Sequence, residues 1–213
     1  MGLAETQKAL TRLYTNTEWR EQFFAEPATA GCPLGLDEDE ALELASANRG
    51  QVEFFADSLH RKRLGAARQL LPVTRKAMGK RFGEWFMRFS ETFVPCGIKK
   101  HEADAVAFTR FLNEAGIDWE IPWIPALAAY EADWLEASQP GSRWISKRYA
   151  WPVGHLAVAV NQGKEIGHPV EGCYAGFWWR LNRRGNPKHV IFKIPLKNPP
   201  APEASSRQLN GLL

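Results

Sequence analysis

The chain has 213 residues, of which 45% are hydrophobic and 24% are charged, and its net charge is +3. This composition is typical of a globular protein, and the small net charge does not demand a polyanionic partner. Three widely spaced cysteines, Cys32, Cys96 and Cys173, argue against a disulfide framework. No apolar run approaches the roughly 18 residues of a membrane span, so we expect a cytoplasmic protein.

The first 140 residues predict a helical domain. A first helix is expected over 7–24, where Pro27 stops it, and a second begins at Asp37 with acidic residues in its first turn. Further helices are expected over 51–64, 101–113 and 126–137 because apolar residues recur there at intervals of three and four.

The strongest helical pattern runs from Pro72 to Phe93. Large apolar side chains recur along one face of this segment, and Pro72 suits the first turn of a helix. They are Met78, Phe82, Trp85, Phe86, Phe89 and Phe93. We expect this stripe to form core rather than a binding surface.

Residues 173–196 predict a β-hairpin. Its strands, 174–181 and 189–196, are rich in aromatic and β-branched residues, and 182–187 supply turn chemistry. A hairpin alone is marginal in water, so a third strand is expected, best placed over 144–160 with Pro152 at an edge or bulge. The fold class is therefore α+β: a helical bundle over 1–140, then a small antiparallel sheet of about three strands over 141–197. Residues 198–213 predict a disordered tail.

The edge of such a small sheet can accept an extended peptide as an additional strand. Six residues are the candidate peptide-binding set: Tyr174, Phe177, Trp178, Trp179, Val190 and Phe192. Because strand side chains alternate, Phe177 and Trp179 share one face, and Tyr174 and Trp178 share the other. The sequence leaves open which face is exposed.

An aromatic loop over 118–125 is held stiff by two prolines. Its residues Trp119, Trp123 and Ile124 are candidate anchors of an interface with a partner protein, since exposed tryptophans are frequent hot spots. The same residues could instead form a lid on the core.

Glu131 lies within the apolar stripe of the helix over 126–137. A buried carboxylate must be paired or protonated. We expect an ion pair with an arginine of another helix, namely Arg63, with Arg61 and Arg75 as alternatives. A general base is the catalytic alternative.

Eight cations occur between residues 60 and 81 without an acid. They are Arg61, Lys62, Arg63, Arg68, Arg75, Lys76, Lys80 and Arg81. A solvated surface is the expectation, so we do not expect nucleic acid as a ligand here. A DNA-binding or regulatory protein and a docking surface for an acidic protein are the alternatives.

The sequence lacks phosphate-loop, dinucleotide-binding, nucleophile-elbow and HExxH patterns, and its five histidines are scattered singly. No CxxC or HxxxH spacing predicts a metal site. We therefore expect no catalytic residue, metal or cofactor in this chain. A stand-alone enzyme that uses Glu131 or a cysteine is the alternative.

Three segments resemble, in order, the helical core of partner proteins found beside multinuclear non-haem iron-dependent oxidative enzymes. They are RQLLPVTRKAMGKRFGEWFMRFSETFVP, HEADAVAFTRFLNE and PWIPALAAYEADWLEA. The resemblance covers roughly residues 50–140. The sequence resembles the partner protein of the 3-thiaglutamate pathway more closely than that of methanobactin. It differs from the methanobactin branch in its N-terminal helices and its basic segment.

The resemblance implies a heterodimer. The iron-dependent enzyme is a TIM-barrel-type chain that modifies cysteines of ribosomally made precursor peptides, and in the 3-thiaglutamate pathway it removes the β-carbon of a C-terminal cysteine. The partner protein helps to bind the peptide and is needed for activity. The resemblance thus predicts a non-catalytic accessory subunit, with iron held by the other chain.

Overall fold

The computed structural model describes residues 2–195 except 96, 98, 116, 118, 143 and 182–184. The described residues form ten α-helices and one antiparallel sheet of three strands, which confirms the predicted α+β fold. The predicted tail over 198–213 lies outside the described residues. The elements are α1 (Leu3–Thr15), α2 (Thr17–Ala25), α3 (Pro27–Gly31), α4 (Glu38–Ala45), α5 (Arg49–Leu70), α6 (Pro72–Met78), α7 (Arg81–Thr92), α8 (Lys100–Glu114), α9 (Ile124–Ala137), β1 (Trp144–Tyr149), α10 (Val153–Gln162), β2 (Tyr174–Trp179) and β3 (Lys188–Lys193).

Two of the predicted helices are each divided in two. Asn16 separates α1 from α2, because its side chain accepts a hydrogen bond from the backbone N–H of Trp19 (2.7 Å) and thereby caps a new helix. Gly79 separates α6 from α7 with a φ of +58°, which favours glycine. The division at Gly79 does not disrupt the aromatic stripe, because Phe82, Phe86 and Phe89 are buried as predicted.

The predicted third strand is correct only over its first six residues. The chain leaves the sheet after Tyr149, and Pro152 directly precedes α10. The apolar run after Pro152 is therefore helical, and it buries Val153, Leu156 and Ala157 at helical spacing. A proline immediately before the first turn leaves no helical hydrogen bond unmade, whereas in a strand it would remove one.

The sheet has the order β1-β2-β3, with both pairs antiparallel. Its inner face lies against the helices and buries Ile145, Tyr149, Tyr174 and Trp178. The outer face consists of the alternate residues of each strand. In rows across the sheet, these are Trp144, Trp179 and Lys188; Ser146, Phe177 and Val190; and Arg148, Ala175 and Phe192.

The residues that the structure describes form two hydrophobic cores. The smaller core joins α1 to α4 with the start of α5, around Leu13 and Phe23. The larger core joins helices α5 to α10 with the inner face of the sheet, and it includes both Leu127 and Trp178. The domain boundary predicted near residue 140 stays a prediction. In the folded chain, residues from both sides of this position belong to the larger core.

Buried charges connect the helices of the larger core, but not in the predicted pairing. The predicted ion pair between Glu131 and Arg63 is wrong. Arg63 binds both carboxylate oxygens of Asp104 on α8, at 2.8 and 2.9 Å. Glu131 instead accepts the backbone N–H groups of Val73 (2.8 Å) and Thr74 (2.7 Å). These are the first free N–H groups of α6, because Pro72 has none, and the positive end of a helix favours a carboxylate.

Gly176 is predicted to be indispensable for packing on the inner face. A Cβ at this position would lie 2.7 Å from the indole of Trp178 and 2.9 Å from Ile191 Cδ1. The indole is buried among Tyr130, Trp134 and other rings, so it cannot move aside. We expect Gly176→Ala to lower the free energy of unfolding by about 1–3 kcal/mol in urea titrations.

Gly65 provides the matched control for this substitution. It lies within α5, and a Cβ added at this residue would meet no atom within 4 Å. Gly65→Ala should therefore raise stability by about 0.5–1 kcal/mol, as expected for a helix interior. Equal effects of the two substitutions would contradict the packing argument.

Glu131 is predicted to act structurally, through α6. Glu131→Gln leaves one buried N–H of α6 facing the amide NH2 group, which donates hydrogen bonds and cannot accept them. We therefore expect the free energy of unfolding in urea to fall by about 1–3 kcal/mol. Glu136→Gln is the control, since Glu136 lies on the same helix but is half exposed and pairs with Lys147. That change should cost less than about 1 kcal/mol, and an equal cost would contradict the proposed anchoring of α6.

Candidate peptide-binding site at the edge of the sheet

Strand β3 lies at an edge of the sheet, and among the described residues only β2 pairs with it. The backbone N–H of Ile194, just after β3, donates to the carbonyl oxygen of Cys173, just before β2 (2.8 Å). This hydrogen bond shows which residues of β3 direct their backbone groups toward β2, because such residues alternate along the strand. Backbone groups of Lys188, Val190 and Phe192 therefore face β2. Those of His189, Ile191 and Lys193 face outward, where an extended chain could bind them.

A groove runs beside this edge, between β3 and α10. Its volume is about 530 Å³, within the range typical of ligand sites. Helix α10 approaches β3 closely because Gly154 has no side chain; a Cβ there would lie 3.3 Å from Ile191 Cγ1. We call this feature the β3–α10 groove.

The β3–α10 groove has an apolar floor and a polar rim. Leu156, Ile166 and Ile191 contribute apolar surface to its lining. The ionisable residues of the lining are His155, Glu165, His168 and Lys193. A strand added to β3 would direct alternate side chains into this groove and the others toward the outer face.

The six predicted peptide-binding residues divide between two faces. Trp178, with 1% of its surface exposed, belongs to the core, and Tyr174 is buried but lines the β3–α10 groove. Phe177, Trp179, Val190 and Phe192 lie on the outer face, and Phe192 also lines the groove. Because Trp178 is buried, it cannot contact a bound peptide directly. The other five residues lie at the groove or on the outer face.

The aromatic loop is part of the core rather than an exposed anchor. Trp123 and Ile124 are buried, so they correspond to the lid alternative and not to the predicted interface. Trp119 is half-buried between the indole of Trp85 and the guanidinium of Arg81. Trp123 and Ile124 are buried because α9 begins there and its first turn packs into the larger core.

His189, the second residue of β3, was not singled out by sequence reasoning, yet it contacts two aromatic residues of α9. Its Nε2 lies 3.0 Å from Tyr130 Oη, and its ring packs edge-on against Trp134. Partial burial lowers the pKa of His189. The groove residues His155, Ile166 and His168 were also missed: His155 lies on α10, for which the helical spacing after Pro152 was a signal, and the other two lie after the end of α10 at Gln162, where no periodic pattern marks them.

Several cations of the basic segment are buried or bonded within the chain. Arg63 is buried, Lys76 donates to Asn161 on α10, and Arg81 pairs with Glu120. The remaining cations are distributed over α5, α6 and the turn before α7. The alternative of a DNA-binding face at 60–81 gains no support from this distribution.

The described residues contain no group of three or more His, Cys, Asp and Glu that could hold a metal ion. Cys32 is exposed and Cys173 is half-buried, both as free thiols, while Cys96 lies outside the described residues. No helix in the described part of the chain is both long and apolar enough to cross a bilayer.

No protein-family model matches the chain, and no curated protein matches it.

Histidine burial predicts a loss of stability in mild acid. Burial lowers the pKa of His60 and of His189 below 6.5. The unfolded chain therefore binds more protons than the folded one between pH 6.5 and the lowered values. The contribution of these histidines to stability should fall as the pH falls through that window, while burial raises the pKa of Glu131 and of Asp133 and so acts in the opposite direction.

Unfolding in urea at about pH 7.5 and about pH 5.5 measures this effect. His189→Gln, which cannot titrate, should lose less stability between the two values than the unmodified chain does. The same loss in both proteins would show that His189 does not contribute.

Proposed function

We propose that this chain is an accessory subunit that binds a precursor peptide as an additional strand on β3. The open edge beside the β3–α10 groove is the observation that carries the proposal. The outward backbone groups of His189, Ile191 and Lys193 would form hydrogen bonds with the peptide. The groove would select among peptide side chains. The role requires no catalytic group from this chain.

Hydrogen bonding alone would not hold such a peptide. Three outward residues offer six backbone groups, each worth about 0.5–1.5 kcal/mol net. Association costs about 4–15 kcal/mol, so the two terms are of similar size. Burial of apolar peptide side chains against Leu156, Ile166 and Ile191 would supply the remaining affinity.

The family resemblance supports the identity of the second subunit. We propose a heterodimer with a multinuclear non-haem iron-dependent enzyme of the TIM-barrel type, which modifies a cysteine of the peptide as in 3-thiaglutamate biosynthesis. Iron would belong to that enzyme, and this chain would hold the cysteine near it. Positioning of this kind can lower a barrier by several kcal/mol. The proposal places both chains in the cytoplasm, where thiols stay reduced.

Co-purification tests the heterodimer. A tagged copy is expressed with the iron enzyme encoded beside it, followed by size exclusion and iron analysis. A stable one-to-one complex with iron in the second chain is expected. Elution of this chain alone, together with salt-dependent binding to duplex DNA, would contradict the proposal and favour the basic helices.

Lys193→Pro should weaken peptide binding at the edge. The substitution removes an outward N–H but no hydrogen bond to β2, so the fold should be retained. Lys193→Ala is the control, since it removes the same charge and keeps the N–H. With a labelled copy of the precursor peptide encoded beside this chain, we expect fluorescence titrations to show about tenfold weaker binding for the proline variant than for the alanine variant, the equivalent of about one net hydrogen bond. Equal affinities would argue against strand addition at β3.

A further inference from the structure

The outer face of the sheet is an apolar surface that shares only Phe192 with the lining of the β3–α10 groove. Five of its nine residues are large and apolar: Trp144, Phe177, Trp179, Val190 and Phe192. Trp144 is 68% exposed and Phe192 is 51% exposed. Three of the rings form a continuous stack across β1 and β2, with Phe177 between Trp144 (6.4 Å) and Trp179 (5.8 Å).

The charges of this face are all of one sign. Arg148 and Lys188 are exposed, and neither forms an ion pair within the described part of the chain. The nine residues include no acid. A surface that covers this face should therefore combine an apolar centre with carboxylates at its rim.

A second copy of this chain does not meet that requirement. Face-to-face pairing of two copies would bring Arg148 and Lys188 of each together, four cations without an acid. Single-stranded nucleic acid would find aromatic rings to stack on, but only two cations for its phosphates. Binding of that kind combines base stacking with a positively charged groove along the phosphate backbone, and two separate cations do not form such a groove. A folded protein is the occupant that the composition favours, since tryptophans are frequent hot spots.

The dimensions of the outer face fit the centre of an interface. Three strands span about 10 Å across, and six residues extend about 17 Å along the strands. A stable interface buries about 800 Å² on each partner, which is more than this area offers. The contact must therefore continue beyond the sheet, and an added peptide strand is the nearest extension.

We infer that the outer face is the docking surface for an acid-rimmed apolar patch of the partner subunit. The inference rests on the proposed function, which supplies both that subunit and the peptide. A peptide strand on β3 would add one side chain to each row of the outer face, because every second side chain of the peptide points to that side. The partner would then contact this chain and the peptide together, so each ligand would strengthen binding of the other.

Charge reversal and apolar disruption test the inference on the full chain. The variants are Arg148→Glu/Lys188→Glu and Phe177→Asp, which alter exposed side chains only. The control is Lys8→Glu/Lys62→Glu, which makes the same change of charge at exposed positions on α1 and α5. Affinity for the co-expressed iron subunit is measured by biolayer interferometry, with circular dichroism to verify folding.

We expect both face variants to bind the iron subunit at least about 30-fold more weakly, while the control binds normally. Saturating precursor peptide should tighten binding of the unmodified chain about fivefold or more. Unchanged binding by the face variants would overturn the inference and leave the proposed function intact. No binding by the unmodified chain would instead overturn the proposed function.

Two further measurements distinguish the other occupants. A dimer of the unmodified chain that Phe177→Asp dissociates would assign the face to a second copy. Binding of a uridine 20-mer that the same variant abolishes would assign it to single-stranded nucleic acid. Either result would overturn the inference.

Discussion

Burial of Trp178 is the constraint on which the sheet depends. Its indole lies against Tyr130 and Trp134 of α9 and Tyr149 of β1, with 1% of the residue exposed. A slip of one residue in register would exchange this indole with an outer-face side chain, so the register is strongly specified. Gly176 supports the same arrangement, because it leaves the space that the ring occupies. The identity of both faces follows from this one buried ring.

The register of the sheet determines which backbone groups and side chains lie along the free edge of β3. Outward backbone groups, the apolar floor of the β3–α10 groove and the outer face meet along the same strand. An exposed edge is a liability for a protein that acts alone, since it can pair with other chains. The same edge is useful to a subunit whose proposed role is to hold an extended peptide for another chain.

The helices that support the sheet are joined by polar contacts between distant residues. Glu131 holds the start of α6, and Arg63 holds Asp104 while its guanidinium also donates to carbonyl groups of Ser90 and Phe93. These groups satisfy one another inside the core, where an unpaired charge would be costly. Helix α9 is therefore fixed between α6 and the inner face of the sheet.

The sequence by itself determined the type of most elements and the division of strand side chains between two faces. The spacing of Phe82, Phe86 and Phe89 identified a buried helical stripe, and alternation separated Phe177 from Trp178. Such patterns are local, because the periods of helices and strands are expressed over a few residues. Tertiary structure decided which face of the sheet is buried, that the chain becomes helical after Pro152, and that Glu131 binds a helix terminus. The contact of Glu131 with Val73 joins residues 58 positions apart, and such a meeting is governed by packing of the whole chain and not by local periodicity. The segment after Pro152 does carry a helical spacing, but its β-forming residues favour a strand locally, and its packing decided for the helix.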